Sequence, residues 1–370
     1  MTGAAKRKPG RAKGDGRSQQ HSGRDHLPAY APYLILAALT LFFFWSLFSP
    51  GSRHWLWEDV LYFTHPARMF AAYSFSLGQF PFWNPFVFGG QPFFADIQTA
   101  VLYPFNLIHS LLASGQSGSY LLLEFIEALH FFLAGIFTYR FLKLTGADQH
   151  GSLLGAIAFA FSGYLVTHVI HTNFVFVFVW LPLVLELFER ALVGGKFRYA
   201  LACAAVLGIS TAGGYPQYTL YMYYTLALYW LVYEVYSRGT EPWSAKATLS
   251  RMLVLGFITV VALGVNLVSW LPAAELARYT PRSEMTYLAS VEHSLEPRML
   301  LKLVAPRFFG VQSPGANSYW AGGYGSFWDL SVCRRSAAGI GFVRLDRRPP
   351  QPPSRVCGGS GGCLPLAGAG

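Results

Sequence analysis

Seven long apolar segments, at about 31–49, 119–142, 151–169, 172–189, 199–213, 216–236 and 252–272, constrain this chain more than any other feature. Each approaches the ~20 residues that a helix needs to cross a ~30 Å hydrocarbon layer. Composition agrees: 53% of residues are hydrophobic, only 12% are charged and mean hydropathy is +0.34, where soluble domains carry about a quarter charged residues. The expected fold is an all-α, polytopic transmembrane helix bundle of about seven spans. Several segments are short or broken by Gly and Pro, which leaves that count open by about one span. The run Ala31 to Ser49 is too long for a signal-peptide core and lacks a small-residue cleavage site, so it is expected to remain as the first span.

Lys and Arg placement sets the orientation. Residues 1–30 hold Lys6, Arg7, Lys8, Arg11, Lys13, Arg17 and Arg24 among Gly, Ser and Gln, the pattern of a disordered basic tail on the cytoplasmic side. Arg140 and Lys143, then Arg190, Lys196 and Arg198, then Arg238, Lys246 and Arg251 fall in alternate connections, which are therefore cytoplasmic too. The bundle then covers 31–272, with a large outward first loop over 50–118, outward turns at His168–Thr172 and Gly213–Gln217, and an outward segment over 273–332. The net charge of +10 serves topology and contact with anionic membrane lipids. No basic face interleaved with aromatics recurs outside the tail, so nucleic acid is not an expected partner.

Beyond Val332 the texture changes. Arg-Arg, Arg-Arg-Pro-Pro and Gly-Gly-Ser-Gly-Gly replace the aromatic-apolar pattern, and Cys333, Cys357 and Cys363 lack the close paired spacing of a zinc site. Residues 333–370 are expected to be disordered. A frameshift near Val332 explains the change: the available codons, displaced by one nucleotide, permit Tyr-Val-Gly and a run of Leu or Pro.

Chemistry is concentrated in the outward elements. Glu58 and Asp59 follow Trp55 and Trp57, rings that prefer the membrane interface, and a partly desolvated carboxylate there suits a general base; two acids opening a helix also favour its dipole. Asp96, within an aromatic run, reads as either an N-cap or a site residue. Glu124, Glu127 and His130 share one helix face inside a span, where ionisable groups are functional candidates; a structural hydrogen bond is the simpler role for His130. His168 and His171 flank an outward turn and suit a phosphate or no ligand at all; they make only half of a metal site. Gly213-Gly214-Tyr215-Pro216-Gln217 exposes backbone amides near a helix start, which suits an anion or simply a tight turn. Arg278 and Arg282 follow the last span and could hold a phosphate bidentately or form solvated ion pairs. Trp83 and Phe82 offer rings that stack on a ligand or anchor at the interface. No phosphate loop, dinucleotide fingerprint, nucleophile elbow or His-Glu-x-x-His occurs.

The run Leu77-Gly78-Gln79-Phe80-Pro81-Phe82-Trp83-Asn84-Pro85, then Phe88-Gly89-Gly90-Gln91-Pro92, Gln98 and Leu102-Tyr103-Pro104-Phe105-Asn106, resembles the first outward loop of the YfhO family of bacterial membrane proteins. Tyr279-Thr280-Pro281-Arg282-Ser283 fits the same pattern, and the resemblance covers about residues 31 to 332. Family members are longer, so it implies an N-terminal fragment. It also implies a GT-C-like fold and activity: sugar taken from a polyprenyl-phosphate donor, with an acid of the first outward loop in the catalytic role. Asp59 matches that acid, with Glu58 beside it.

Together these readings lead to an inverting glycosyltransferase acting on a cell-envelope acceptor at the outward face. Asp59 is the expected base, and Trp83, Gln98, His168, His171, Gln217, Arg278 and Arg282 are the expected substrate contacts. The cofactor is left open: one or two acids serve either as base or as ligand to a divalent metal, and no metal is specifically indicated. The alternatives are a transporter or flippase of lipid-linked saccharide, and a non-catalytic membrane scaffold.

Overall fold

A computed structural model describes residues 27–48, 59–113, 119–240, 244–287, 291 and 297–305. The basic tail over 1–26, Glu58, residues 306–370 and the side chain of Arg282 lie outside the described residues.

The described chain is helical almost throughout. α1 (Ala31–Phe43) runs into a 3-10 turn at Trp45–Phe48; the long connection that follows carries a π-helical turn at Val60–Thr64, α2 (His65–Ser76) and α3 (Pro104–Leu112). Next come α4 (Ser119–Leu144), α5 (Gln149–Ala160), α6 (Gly163–Thr167), α7 (Thr172–Phe178), α8 (Leu181–Gly194) and α9 (Phe197–Thr211). The last are α10 (Pro216–Thr240), α11 (Ala245–Ala277) and a short α12 (Leu301–Val304). Inside the connection, β1 (Trp83–Asn84) and β2 (Gln91–Pro92) pair as an antiparallel hairpin with Trp83 opposite Pro92.

Local chemistry explains the boundaries. Pro32, Pro66, Pro104, Pro182 and Pro216 stand in the first turns of α1, α2, α3, α8 and α10, where a missing N–H removes no helical bond. Asp148 caps α5 by accepting from Gly151 N at 2.9 Å, and Ser162 caps α6 by accepting from Leu165 N at 3.2 Å. The Ser162 cap starts a new helix inside an apolar segment, so that segment is broken at Phe161–Ser162. The next is broken at Val179–Trp180, just before Pro182.

Three helical stretches, Tyr120–Leu144, Gln149–Thr167 (α5 continued by α6) and Ala245–Ala277, are long and apolar enough to cross a membrane. α1 and α9 are apolar but shorter, at 13 and 15 residues, and α10 is diluted by tyrosine. α4 is the hub, packing on α1, α5, α7 and α8, while α9 joins α8 to α11. The core runs through Leu123, Phe131 and Phe137 of α4, Phe174 to Val177 of α7, Val184 and Phe188 of α8, and Cys203 and Leu207 of α9. α11 lies at the edge, with Leu253, Val260, Val265 and Leu271 each more than 60% exposed. Such a face is unfavourable in water and natural in hydrocarbon.

Polar contacts separate two ends of the bundle. At one, Arg140 of α4 and Arg190 of α8 both meet the buried Glu186, at 2.8 and 3.0 Å, Arg251 meets Glu234 at 3.2 Å, and Leu27 N donates to Gln149 Oε1 at 3.2 Å. The basic connections gather there. At the other end lie the 59–113 connection and the His168–Thr172 and Gly213–Gln217 turns.

The connection does more than cover that end. Its segment Asp96–Asn106 enters the bundle, where Tyr103 is fully buried against Phe176 with ring centroids 4.8 Å apart. Irregular backbone is tolerated there because protein groups meet its polar atoms. Gln98 O accepts from Asn173 Nδ2 at 2.5 Å, Thr99 O accepts from Arg68 Nη1, and Ala100 O accepts from Asn106 Nδ2 at 2.9 Å.

Candidate functional site

Asp59 stands at the start of the π-helical turn that leads into α2, and its Oδ2 lies 3.5 Å from His171 Nε2. The carboxylate is 64% exposed and the imidazole 28% exposed, so the pair sits at the rim of the bundle and is open to a ligand. His171 occupies the N-cap position of α7. His168, one turn before it, packs its ring 5.6 Å from that of His171 and between Tyr164 and Phe174, each at 4.5 Å. His168 Nδ1 donates to Tyr164 O at 2.7 Å, which fixes the tautomer. Burial keeps this imidazole below its ordinary range, against the opposing pull of the Tyr164 carbonyl.

Tyrosines extend the cluster. Tyr164 and Tyr218 share a hydroxyl–hydroxyl hydrogen bond of 2.5 Å, the Tyr215 and Tyr218 rings are 4.9 Å apart, and the Tyr218 and Tyr221 rings are 5.5 Å apart. Gln217 Nε2 donates to Tyr221 Oη at 2.7 Å. Burial raises the Tyr215 hydroxyl above its ordinary range, with Tyr164, Asp59 and Tyr221 adding to the effect, so it stays protonated and can donate. The set offers one exposed carboxylate, two imidazoles, several phenol hydroxyls and ring faces. That combination suits a polyhydroxylated ligand: hydroxyls for hydrogen bonding, rings for stacking on C–H faces, and an acid to take a proton.

The structure therefore joins Asp59, His171, His168 and Gln217 in one cluster. The remaining expected site residues make separate contacts. Asp96 is an N-cap, its Oδ1 accepting from Gln98 N at 3.0 Å; it borders a shallow crevice shared with Thr211, Asn266, Ser269 and Trp270. Gln98 has an exposed side chain, and its backbone carbonyl makes the structural contact with Asn173. Trp83 lies on the β-hairpin, 56% exposed, with its indole against Gly90; a Cβ added there would come within 2.7 Å of Trp83 Cζ2. Arg278 is exposed just past α11, with no side-chain hydrogen bond or ion pair among the described residues. No group of three His, Cys, Asp or Glu that could hold a metal ion occurs among the described residues.

A second polar cluster lies beneath the re-entrant segment. His130 Nδ1 donates to Ile126 O at 2.6 Å and its Nε2 accepts from Tyr103 Oη at 2.5 Å, while Trp180 Nε1 donates to Tyr103 Oη at 3.0 Å. These bonds give His130 the structural role expected of it. Glu127, one turn earlier, is fully buried, as is Arg68 of α2. Burial draws the Arg68 guanidinium down to about 9 while Glu127 pulls it up, so Arg68 is charged at neutral pH. Sequence reasoning passed over Arg68, although it is the one Lys or Arg between Arg53 and Arg140. It also passed over the tyrosines, although Tyr215, Tyr218 and Tyr221 recur at a spacing of three, a helical face.

No protein-family model, curated protein or solved structure matches the chain.

Proposed function

We propose that the chain is a multi-pass membrane glycosyltransferase of GT-C-like architecture, with seven spans and a cytoplasmic N-terminus. It transfers a sugar from a polyprenyl-phosphate donor to a cell-envelope acceptor on the outward face. The observation that carries this reading is the Asp59–His171 contact within a cluster of tyrosine hydroxyls at one end of an apolar bundle. The resemblance of the 77–106 loop to the YfhO family supports it. In the reaction, Asp59 takes the proton of the acceptor hydroxyl, the acceptor oxygen bonds to the anomeric carbon, and the bond to the lipid phosphate breaks with inversion. His171 holds the Asp59 carboxylate in place, His168 packs behind His171, and exposed rings such as Trp83 offer a face to the sugar.

The test is transfer of labelled sugar from a polyprenyl-phosphate donor in membrane vesicles. Asp59→Asn, inserted and expressed at the wild-type level, loses about 10²- to 10⁴-fold in rate, the usual loss for a general base. Near-normal transfer by that variant sinks the assignment.

A second reading, a transporter or flippase of lipid-linked saccharide, is favoured by the helix breaks at Phe161–Ser162 and Val179–Trp180, since broken helices are a mark of transporters. It is separated by the same vesicles: movement of lipid-linked sugar across the bilayer with no transfer to an acceptor supports it. A non-catalytic scaffold gives neither signal.

A further inference from the structure

The β1–β2 hairpin ends in an ordered tip that projects two phenylalanines. Asn84 Oδ1 accepts from Phe86 N at 3.0 Å and Gly90 N donates to Val87 O at 2.8 Å, so the turn is held by its own polar groups. The Trp83 indole lies on Gly90 and braces it. Phe88 is 92% exposed and holds φ at 54°, a left-handed conformation that a residue with a Cβ disfavours. Phe86 is 72% exposed, its ring edging against those of Phe70 and Tyr73 in α2 at 6.2 and 6.5 Å. A strained backbone that displays such rings gains nothing in water.

Chemistry and depth say what covers the tip. Between Arg68 and Asp96 no side chain carries a charge, and none from Pro85 to Gly90 is polar. The tip therefore offers an ion or a sugar hydroxyl no side-chain partner, and it suits an apolar phase. For depth, Arg251 meets Glu234 at the basic end of the bundle. Trp270 lies roughly 28 Å further along α11 at ~1.5 Å per residue, close to the ~30 Å of a hydrocarbon layer. Between them runs the exposed apolar face of α11 through Leu253, Val260 and Val265. Trp270 thus stands at the outer interface, the depth that indoles prefer. Phe94 and Asp96 line the shallow crevice with Trp270, and the Phe82 ring lies 5.9 Å from that of Phe94. The base of the hairpin is level with the outer edge of the hydrocarbon.

We propose that the hairpin tip, Phe86 and Phe88, inserts into the outer leaflet of the membrane that holds the bundle, with lipid as its occupant. Phe86 rests on α2, which runs on from Asp59 through the π-helical turn, so insertion sets the depth of the Asp59 cluster against the lipid. The anchor rests on α11 crossing the membrane and not on the reaction that the cluster performs.

Photo-cross-linking of the full chain in phosphatidylcholine nanodiscs, read by mass spectrometry of lipid adducts, tests the anchor. p-Benzoylphenylalanine replaces Phe88 in one protein, Val260 of the α11 face in a second, and the exposed His150 at the start of α5 in a third. Position 88 is expected to label lipid as well as position 260 does, and about tenfold or more above position 150, the preference that burial of a phenylalanine ring gives. A yield at 88 no higher than at 150, with 260 labelled, overturns the anchor. A cross-link from 88 to protein in place of lipid overturns it in favour of a protein partner. Absence of adducts at 260 as well overturns the membrane crossing of α11, and the anchor with it.

Discussion

The Asn173 side chain donates to the Gln98 carbonyl at 2.5 Å, bridging 75 positions of sequence. That bond ties the long connection to the start of α7, and Gly214 ties it to the turn between α9 and α10. Gly214 holds φ at +80°, and a Cβ there would strike Ile97 O and come within 3.2 Å of Asn173 Nδ2. The Asp59 cluster is thus assembled from segments far apart in sequence, held in place mainly by backbone contacts around Ile97 and Gln98.

Gly214→Ala should destabilise this end of the protein. The left-handed backbone alone costs about 1–2 kcal/mol for a residue with a Cβ, and displacement of Ile97 adds to it. Gly256→Ala is the control, since a Cβ there meets nothing within 4 Å; exchanging Gly for Ala within a helix is worth about 0.5–1 kcal/mol in favour of Ala. Thermal unfolding in detergent should lower the midpoint for the first variant and raise or preserve it for the second.

Acid should weaken the fold through His168. Its folded value lies below the free value of 6.5, so between the two the unfolded chain binds a proton that the folded chain does not. Stability from this group is therefore flat above 6.5 and is lost as pH falls towards the folded value. His171 and Tyr164 are titratable groups that face it. His168→Phe keeps a ring between Tyr164 and Phe174 but loses the hydrogen bond to Tyr164 O, a loss of about 1 kcal/mol at neutral pH. Between about pH 7.5 and 5.5 its unfolding midpoint should fall less than that of wild type; an equal fall assigns the acid sensitivity elsewhere.

Topology gives a further expectation. Reporters fused after Gly118 or Arg282 should report the outside, and those after Lys143, Arg198 or Lys246 the inside, following the basic connections. The Arg140–Glu186–Arg190 contacts place the ends of α4 and α8 together, as that arrangement requires. An inside signal at Arg282 removes it from any role beside Asp59.

The helices were legible because apolar segments near 20 residues and first-turn prolines are local signals. Their breaks were less so: Ser162 acts as a cap only once the chain around it has turned, and Val179–Trp180 divides a segment that is apolar on both sides. Asp59, His168 and His171 were readable as chemical types in turns, whereas their meeting depends on the π-helical turn at Val60–Thr64 and on the clamp at Gln98. Arg68 was missed because its burial is set by the tertiary fold, within electrostatic reach of Glu127, 59 positions away by numbering, which no periodicity encodes. Asp96 had two readings, of which its bond to Gln98 N shows the cap.

The proposed chemistry makes Asp59 and His171 one functional unit, and a double-mutant cycle reads that directly. If the Asp59 carboxylate accepts the proton while His171 holds it in place, Asp59→Asn should reduce sugar transfer by about 10²- to 10⁴-fold. His171→Gln should reduce it less, because an amide can still hydrogen-bond to the carboxylate. The double variant should then be no slower than Asp59→Asn alone, since residues acting as a unit are not additive once the essential member is gone. Effects that simply multiply would mean that the two groups act separately, with His171 serving the phosphate and Asp59 the acceptor. Donor binding, measured by retention of labelled polyprenyl phosphate, distinguishes these outcomes again: it should be preserved in Asp59→Asn and reduced in His171→Gln only if the imidazole holds the phosphate.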